Sequence, residues 1–254
     1  MLSFLRPTER KAKVRWFMDE LTEMRAKYPN MSELHFIGHS HGTYVMASAL
    51  REYKALHLRR AVFAGSVVPQ DFDWASPALA HRIEGISNYA ASSDLVVAWL
   101  PRLFEIFGGE LGSAGFNGFR RPSGMTEDAW ADFMKQFKWV DGYHSAAIQA
   151  GDTSTIASIA DFVMRGGADG VPSNLAERQV WWVRVGSQWW GCLLIWLLMI
   201  SIVAFAGLYV TWVLRRSVRR LAYIGIAVDR QKFPTGIVVW TIYIVAIWQL
   251  LTLI

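Results

Sequence analysis

Cysteine is almost absent: Cys192 stands alone in 254 residues, so no disulfide within the chain can close, and the redox compartment is not revealed. Charge is scarce too, at 19% of residues against 53% hydrophobic, and mean hydropathy is +0.21. A soluble domain of this length is ordinarily less apolar and more charged. The aromatic share of 14%, with 13 Trp, excludes a disordered chain. The opening residues MLSFLRPTERKAK are not expected to act as a signal peptide, because Pro7 interrupts their short apolar stretch. No internal repeat is visible. The apolar excess implies membrane segments, alone or joined to a soluble domain.

Charge is missing altogether from two long runs. Residues 189–214 hold no Asp, Glu, Lys, Arg or His, and neither do residues 235–254. Crossing the hydrocarbon of a bilayer takes roughly 20 apolar residues, so both runs read as spans. Trp181, Trp182, Trp189 and Trp190 crowd the start of the first, and Tyr209 and Trp212 lie near its end. Such rings favour the headgroup layer. The formal charge of +5 and pI near 9.4 suggest nucleic acid only until the basic residues are placed. Arg215, Arg216, Arg219, Arg220, Arg230 and Lys232 face one acid, Asp229, in the loop 215–234 between the spans. A basic loop there faces anionic lipid, so the lipid bilayer and not nucleic acid is the expected partner.

The remainder divides into a domain at 1–170 and a linker with an interfacial Trp-rich segment at 171–188, ahead of the membrane region 189–254. In residues 8–28, Val14, Phe17, Met18, Leu21, Met24 and Tyr28 recur in steps of three and four, which predicts a helix with Thr8 as N-cap. LHFIG (34–38), RAVFAGS (60–66), IEGISNYAA (83–91) and QFKWV (136–140) read as strands. Residues 42–54, 96–107 and 155–166 read as helices, with Pro101 as a bend, and 108–119 as a Gly-rich loop. Alternation of this kind predicts an α/β fold, a parallel sheet of about four strands with helices on both faces.

The nucleophile candidate is Ser40, in Gly38-His39-Ser40-His41-Gly42. This is a G-x-S-x-G elbow between a strand and a helix, the setting the motif requires. Gly38 and Gly42 are expected to relieve crowding where strand and helix meet. The backbone N–H of His41 is expected to face a developing oxyanion. A serine needs a base and the base an orienting acid, in the chain order Ser, Asp, His. His144, in the loop after QFKWV, and Asp94, in the loop SSDL after IEGISNYAA, have that order and sit at strand ends. Asp71 and Asp73 are rival acids, and Asp141 is expected to shape the histidine loop. His39 and His41 supply too few ligands for a metal, so neither metal nor cofactor is expected, and these rings are placed at the pocket mouth. His35 reads as a core or edge histidine, and His57 and His81 have no motif context.

Over about residues 8–166 the elbow, the strand RAVFAGS, the acid loop and the GYH loop resemble the C-terminal half of an α/β-hydrolase. The resemblance implies acyl-serine chemistry on an ester, thioester or amide through Ser40, Asp94 and His144. It implies an ester or lipid-like substrate and a membrane-anchored esterase or lipase-like enzyme. The chain departs from the family ahead of LHFIG, where 33 residues hold one helix in place of the first four strands. The loop that supplies the second oxyanion donor goes with them, a loss of about 10²–10³ in rate. The expectation is an N-terminally truncated fragment with an exposed sheet edge at 34–38, which a partner chain would cover. Ile254 ends the sequence inside an apolar run, a second sign of truncation. The alternative is a catalytically silent membrane protein whose hydrolase remnant binds a partner. Two spans place the hydrolase part and the C-terminus on one side. Loop charge argues for an exported hydrolase part, whereas the missing signal argues for a cytoplasmic one, which is the expected orientation.

Overall fold

Apolar runs at the centre of the sequence set the inner strands. The computed structural model describes residues 6–106, 108–149, 153–167 and 170–223. In chain order these form α1 (Pro7–Lys27), β1 (His35–His39), α2 (His41–Glu52), β2 (Leu58–Ala64), α3 (Ala75–Leu79), β3 (Ile83–Ala91) and α4 (Leu95–Ile106). Then come α5 (Ala114–Asn117), α6 (Glu127–Phe133), β4 (Met134–Val140), a 3-10 turn (Ala146–Ile148), α7 (Thr153–Arg165), α8 (Trp181–Gly186) and α9 (Trp189–Tyr223). The four strands make one all-parallel sheet in the order β1-β2-β3-β4. Parallel sheets are covered on both faces, and β3 is buried at every position but Glu84.

Alternate residues serve opposite faces. Val62 and Ala64 of β2, with Tyr89 and Ala91 of β3, pack with Ile159 and Phe162 of α7 and Val140 of β4. Tyr89 Oη lies 2.8 Å from Ser158 Oγ within that layer. On the other face Phe63 meets Trp74 and Phe119, with ring centroids 5.8 and 6.3 Å away. Asn88 donates there to the Ala114 carbonyl at 3.0 Å. Burial of such large side chains is worth about 1.5–3 kcal/mol each and drives the layering. Trp74, fully buried, explains why α3 forms although the sequence shows no helical period there.

The first helix starts differently from the expectation: Arg6 is the N-cap and Pro7 the first helical residue, not Thr8. Proline suits that position because its fixed φ is helical and its missing N–H would have no partner. Val14 and Leu21 are buried, and Phe17 meets Phe36 of β1 edge-on at 5.7 Å. Tyr28, expected on the buried face, is 55% exposed. Among the described residues β1 pairs only with β2, and Ile37 stands 56% exposed on this edge strand.

Two further expectations need correction. The Gly-rich loop contains the short helix α5. The segment 171–188 is a strap rather than a linker, because its backbone docks on the outer edge of β4. Leu175 bridges Val140 antiparallel, Asp141 N–H donates to Asn174 O at 2.9 Å, and Ala176 N–H to Trp139 O at 2.7 Å. Pairing of this kind satisfies edge groups that would otherwise need water. The first compact unit accordingly runs to Cys192, and the second begins at Leu193.

Within α9, Trp189–Val213 is 25 residues long and apolar enough to cross a membrane by length and composition. Most of its large side chains are exposed, Leu197 by 59% and Phe205 by 72%, unlike those of a core helix. The loop expected from residue 215 begins as helix, since α9 continues to Tyr223 with no Gly or Pro before Gly225. The rest of that loop and the expected second span, 235–254, lie outside the described residues.

Candidate active site

Ser40 occupies the turn between β1 and α2 with φ 53° and ψ −124°. Among the described non-glycine residues only His81 shares a positive φ. Such a conformation costs about 1–3 kcal/mol and persists only where its surroundings fix it. Here Ser40 N–H donates to Ala64 O at 3.0 Å, tying the turn to the end of β2. Its carbonyl accepts from Thr43 N–H at 3.0 Å and from Thr43 Oγ1 at 2.7 Å, and Thr43 Oγ1 in turn accepts from Val67 N–H at 3.2 Å. The serine is half-buried, at the C-terminal end of the sheet.

The two flanking glycines differ. A Cβ at Gly38 would lie 2.5 Å from the Phe36 ring, in keeping with the expected crowding. At Gly42 nothing lies within 4 Å, so the expectation of a collision there is wrong. The first turn of α2 directs that position into open space.

Asp94 and His144, 50 residues apart, come together: His144 Nδ1 lies 2.7 Å from Asp94 Oδ2. The Asp94 carboxylate is fully buried, and its Oδ1 accepts from Val97 N–H at 3.0 Å at the start of α4. The acid therefore caps a helix and holds the imidazole at once. Serine hydroxyls tie the two loops together. Ser92 Oγ donates to Asp141 Oδ1 at 3.1 Å and accepts from Gly142 N–H at 3.2 Å, and Ser93 N–H donates to Gly142 O at 2.9 Å. Asp141 thus shapes the loop, as expected. Asp73, a rival acid, instead accepts from Ser76 N–H at 3.1 Å and lines, with Asp71, a surface cavity of about 430 Å³ that includes none of Ser40, Asp94 and His144.

His144 reaches the serine turn through two neighbours, Gly65, which the sequence did not single out, and His39, which was expected at the pocket mouth. Gly65, with φ +55°, follows Ala64, whose carbonyl holds Ser40. A Cβ there would lie 2.9 Å from His144 Nδ1 and 2.7 Å from its carbonyl oxygen. His39, next to Ser40, donates from Nε2 to the His144 carbonyl at 3.2 Å, and the two rings are 4.7 Å apart. Burial holds the His39 pKa below its ordinary value, partly offset by that backbone hydrogen bond, so the ring is held toward its neutral form. His41 stacks on Tyr44 at 5.6 Å. Burial, aided by the Arg10 and Lys13 charges, lowers its pKa too. Its backbone opens α2, where helix N–H groups carry partial positive charge. Both rings are half-buried. His35 faces Glu33 at 3.5 Å. Among the described residues no group of three His, Cys, Asp or Glu comes close enough to hold a metal ion.

Comparison with protein-family models, with curated proteins and with solved structures found no match. An imidazole whose Nδ1 is held by a buried carboxylate presents Nε2 as a proton acceptor. A serine on a strained turn, with a helix N-terminus behind it, presents its hydroxyl clear of the backbone. Among the described residues no hydrogen bond joins Ser40 Oγ to the His144 ring; His39 and Gly65 lie between the histidine and the serine turn.

Proposed function

We propose that the chain is a membrane-anchored serine hydrolase of the α/β-hydrolase type, cleaving acyl esters through Ser40, His144 and Asp94. The observation that supports the reading is that a serine at φ 53° and a histidine bound at 2.7 Å to a buried aspartate both lie at one end of a parallel sheet. In the first step Ser40 Oγ attacks the acyl carbon while its proton passes to His144 Nε2. Asp94 holds Nδ1–H and steadies the imidazolium. The tetrahedral oxyanion faces the His41 N–H at the start of α2. His144 then protonates the departing alkoxide, leaving acyl-Ser40. Water, deprotonated by the same imidazole, attacks the acyl group, and the imidazolium returns that proton to Ser40 Oγ as the acid leaves. General-base help of this kind is worth about 10²–10⁴ in rate. The anchor is α9, and the second apolar run, 235–254, completes a hairpin that leaves the hydrolase part in the cytoplasm.

The test is turnover of a short-chain activated ester by the full chain in detergent or vesicles. Ser40→Ala and His144→Ala are expected to abolish turnover, and Asp94→Asn to cut it severely. Equal turnover by Ser40→Ala overturns the assignment. A second reading, a silent module that binds a partner, is favoured by the open edge of β1 with Ile37 exposed. Absence of turnover and of covalent labelling in the intact chain would support it.

A further inference from the structure

The first compact unit carries its own cluster of exposed tryptophans. Trp181 is 74% exposed, Trp182 46%, Trp189 61% and Trp190 45%, and Val185 adds 42%. Trp181 and Val185 are one helical turn apart on α8 and share a face. Soluble surfaces seldom gather so many large apolar groups. The cluster is firmly mounted, because the opposite side of the segment is buried. Val183 and Cys192 are fully buried, Trp182 meets Trp99 of α4 edge-on at 6.1 Å, and Cys192 Sγ donates to Trp99 O at 3.2 Å. Arg102 Nε of α4 donates to Ser187 O at 3.3 Å.

The mounting leads straight to the site. Val180 N–H, one residue before Trp181, donates to Ser92 O at 3.0 Å, and Ser92 also holds the histidine loop through Gly142. α4, on which the segment rests, is the helix capped by Asp94. Beside the site itself Val96 is 43% and Tyr143 73% exposed, two residues after the acid and one before the histidine.

We propose that the Trp181–Trp190 surface is seated in the headgroup layer of the bilayer and holds the Ser40 end of the sheet there. The substrate is then an ester taken from the membrane, such as an acyl lipid, and not one drawn from bulk water. The substrate half rests on the hydrolase reading above; the seat does not. Three observations select lipid as the occupant. The helix bearing Trp189 and Trp190 runs on into the candidate span. Indole, an apolar ring with one donor, favours the interface. Exposed Arg178 and Arg184 outnumber the one acid of residues 171–190, Glu177, a charge balance that favours anionic headgroups.

The test uses the full chain in phosphatidylcholine–phosphatidylglycerol vesicles, in a Cys192→Ser background that keeps a donor toward Trp99. Single cysteines replacing Val96, Val185 and Met164 carry an environment-sensitive fluorophore. Met164, 77% exposed beside the Val163 carbonyl that Arg60 grips, is the control. Lipids with a nitroxide near the headgroup are expected to quench the labels at 96 and 185 and to spare that at 164. Equal quenching at all three, or none, overturns the seat. In parallel, Trp181→Ser combined with Trp189→Ser is expected to lower hydrolysis of a vesicle-borne long-chain ester by about tenfold. Turnover of a soluble short-chain ester should stay within about twofold. Equal loss on both esters, or on neither, overturns the substrate half. Quenching at 96 and 185 without hydrolysis of either ester overturns the enzyme reading and the substrate half together, and supports the seat.

Discussion

Replacing Gly65 by Ala probes the site without replacing any reacting group. At φ +55° an alanine pays about 1 kcal/mol of backbone strain. Its Cβ would lie 2.9 Å from Nδ1 and Cε1 of His144, whereas ordinary contact begins at 3.4 Å. The imidazole must therefore retreat by 3.4 − 2.9, or about 0.5 Å. It cannot retreat freely, since Asp94 Oδ2 holds Nδ1 at 2.7 Å and His39 holds the backbone at 3.2 Å. A displacement of 1 Å at a reacting group costs about 10²-fold, so half of that predicts a fall in acylation rate of about 10- to 100-fold. Strain and overpacking together predict a stability loss of about 1–3 kcal/mol. The assay is the rate of fluorophosphonate labelling of the folded protein, with a urea titration alongside to confirm that the variant is folded where the rate is read. Labelling within about twofold of the parent, in a folded variant, would refute the placement of His144 against the serine turn.

The remaining predictions are independent of that one. Gly42→Ala should raise stability by about 0.4–1 kcal/mol, read as a higher urea midpoint, because its Cβ meets nothing within 4 Å and the unfolded chain loses freedom. Glu105→Ala should lower stability by about 3 kcal/mol, again read in urea, since the nearly buried carboxylate accepts from Gln70 N–H at 2.6 Å, Ser113 Oγ at 2.7 Å and Arg102 Nη1 at 2.8 Å. His39 and His41 have folded pKa values below the ordinary 6.5, so at low pH the unfolded chain binds more protons than the folded one. Their contribution is therefore intact above pH 6.5 and is lost as pH falls from 6.5 toward the folded values. Melting temperature should fall over that window, and less so in a His39→Gln, His41→Gln double variant; an unchanged slope would contradict the burial argument.

What could be read from the sequence was what is local. Ser40 is legible because the elbow's strand, turn and helix are contiguous, and the structure places it at the strained turn between β1 and α2. Asp94 and His144 are 50 residues apart, and chain order selected them only because both follow strands of one parallel sheet. Gly65 stayed hidden, and His39 was placed only at the pocket mouth, because their contact with His144 depends on the register His39↔Ala64, which brings the end of β2 beside the serine turn. A glycine just after a strand's last apolar residue, in AGS, was the available signal. Gly42 misled because the crowding usual beside such turns depends on how the helix leaves the strand. The strap at 174–180 was illegible because its partner is the edge of β4, a long-range pairing that no periodicity records. α3, α5 and α6 are short helices fixed by buried aromatics such as Trp74, Phe116 and Phe133, with too few turns for a period to show.

The central claim, that Ser40 is a nucleophile activated by the His144–Asp94 pair, is tested most directly by mapping a covalent adduct. The full chain in vesicles is reacted with a fluorophosphonate and cut with trypsin, and the peptide from Tyr28 to Arg51, which also contains Ser32 and Ser48, is sequenced by mass spectrometry. The account predicts one phosphonyl group, on Ser40 and on neither other serine, with a labelling rate that falls by about 10²-fold or more in His144→Ala. An unmodified Ser40 in the folded chain, or a rate unchanged by His144→Ala, would contradict it.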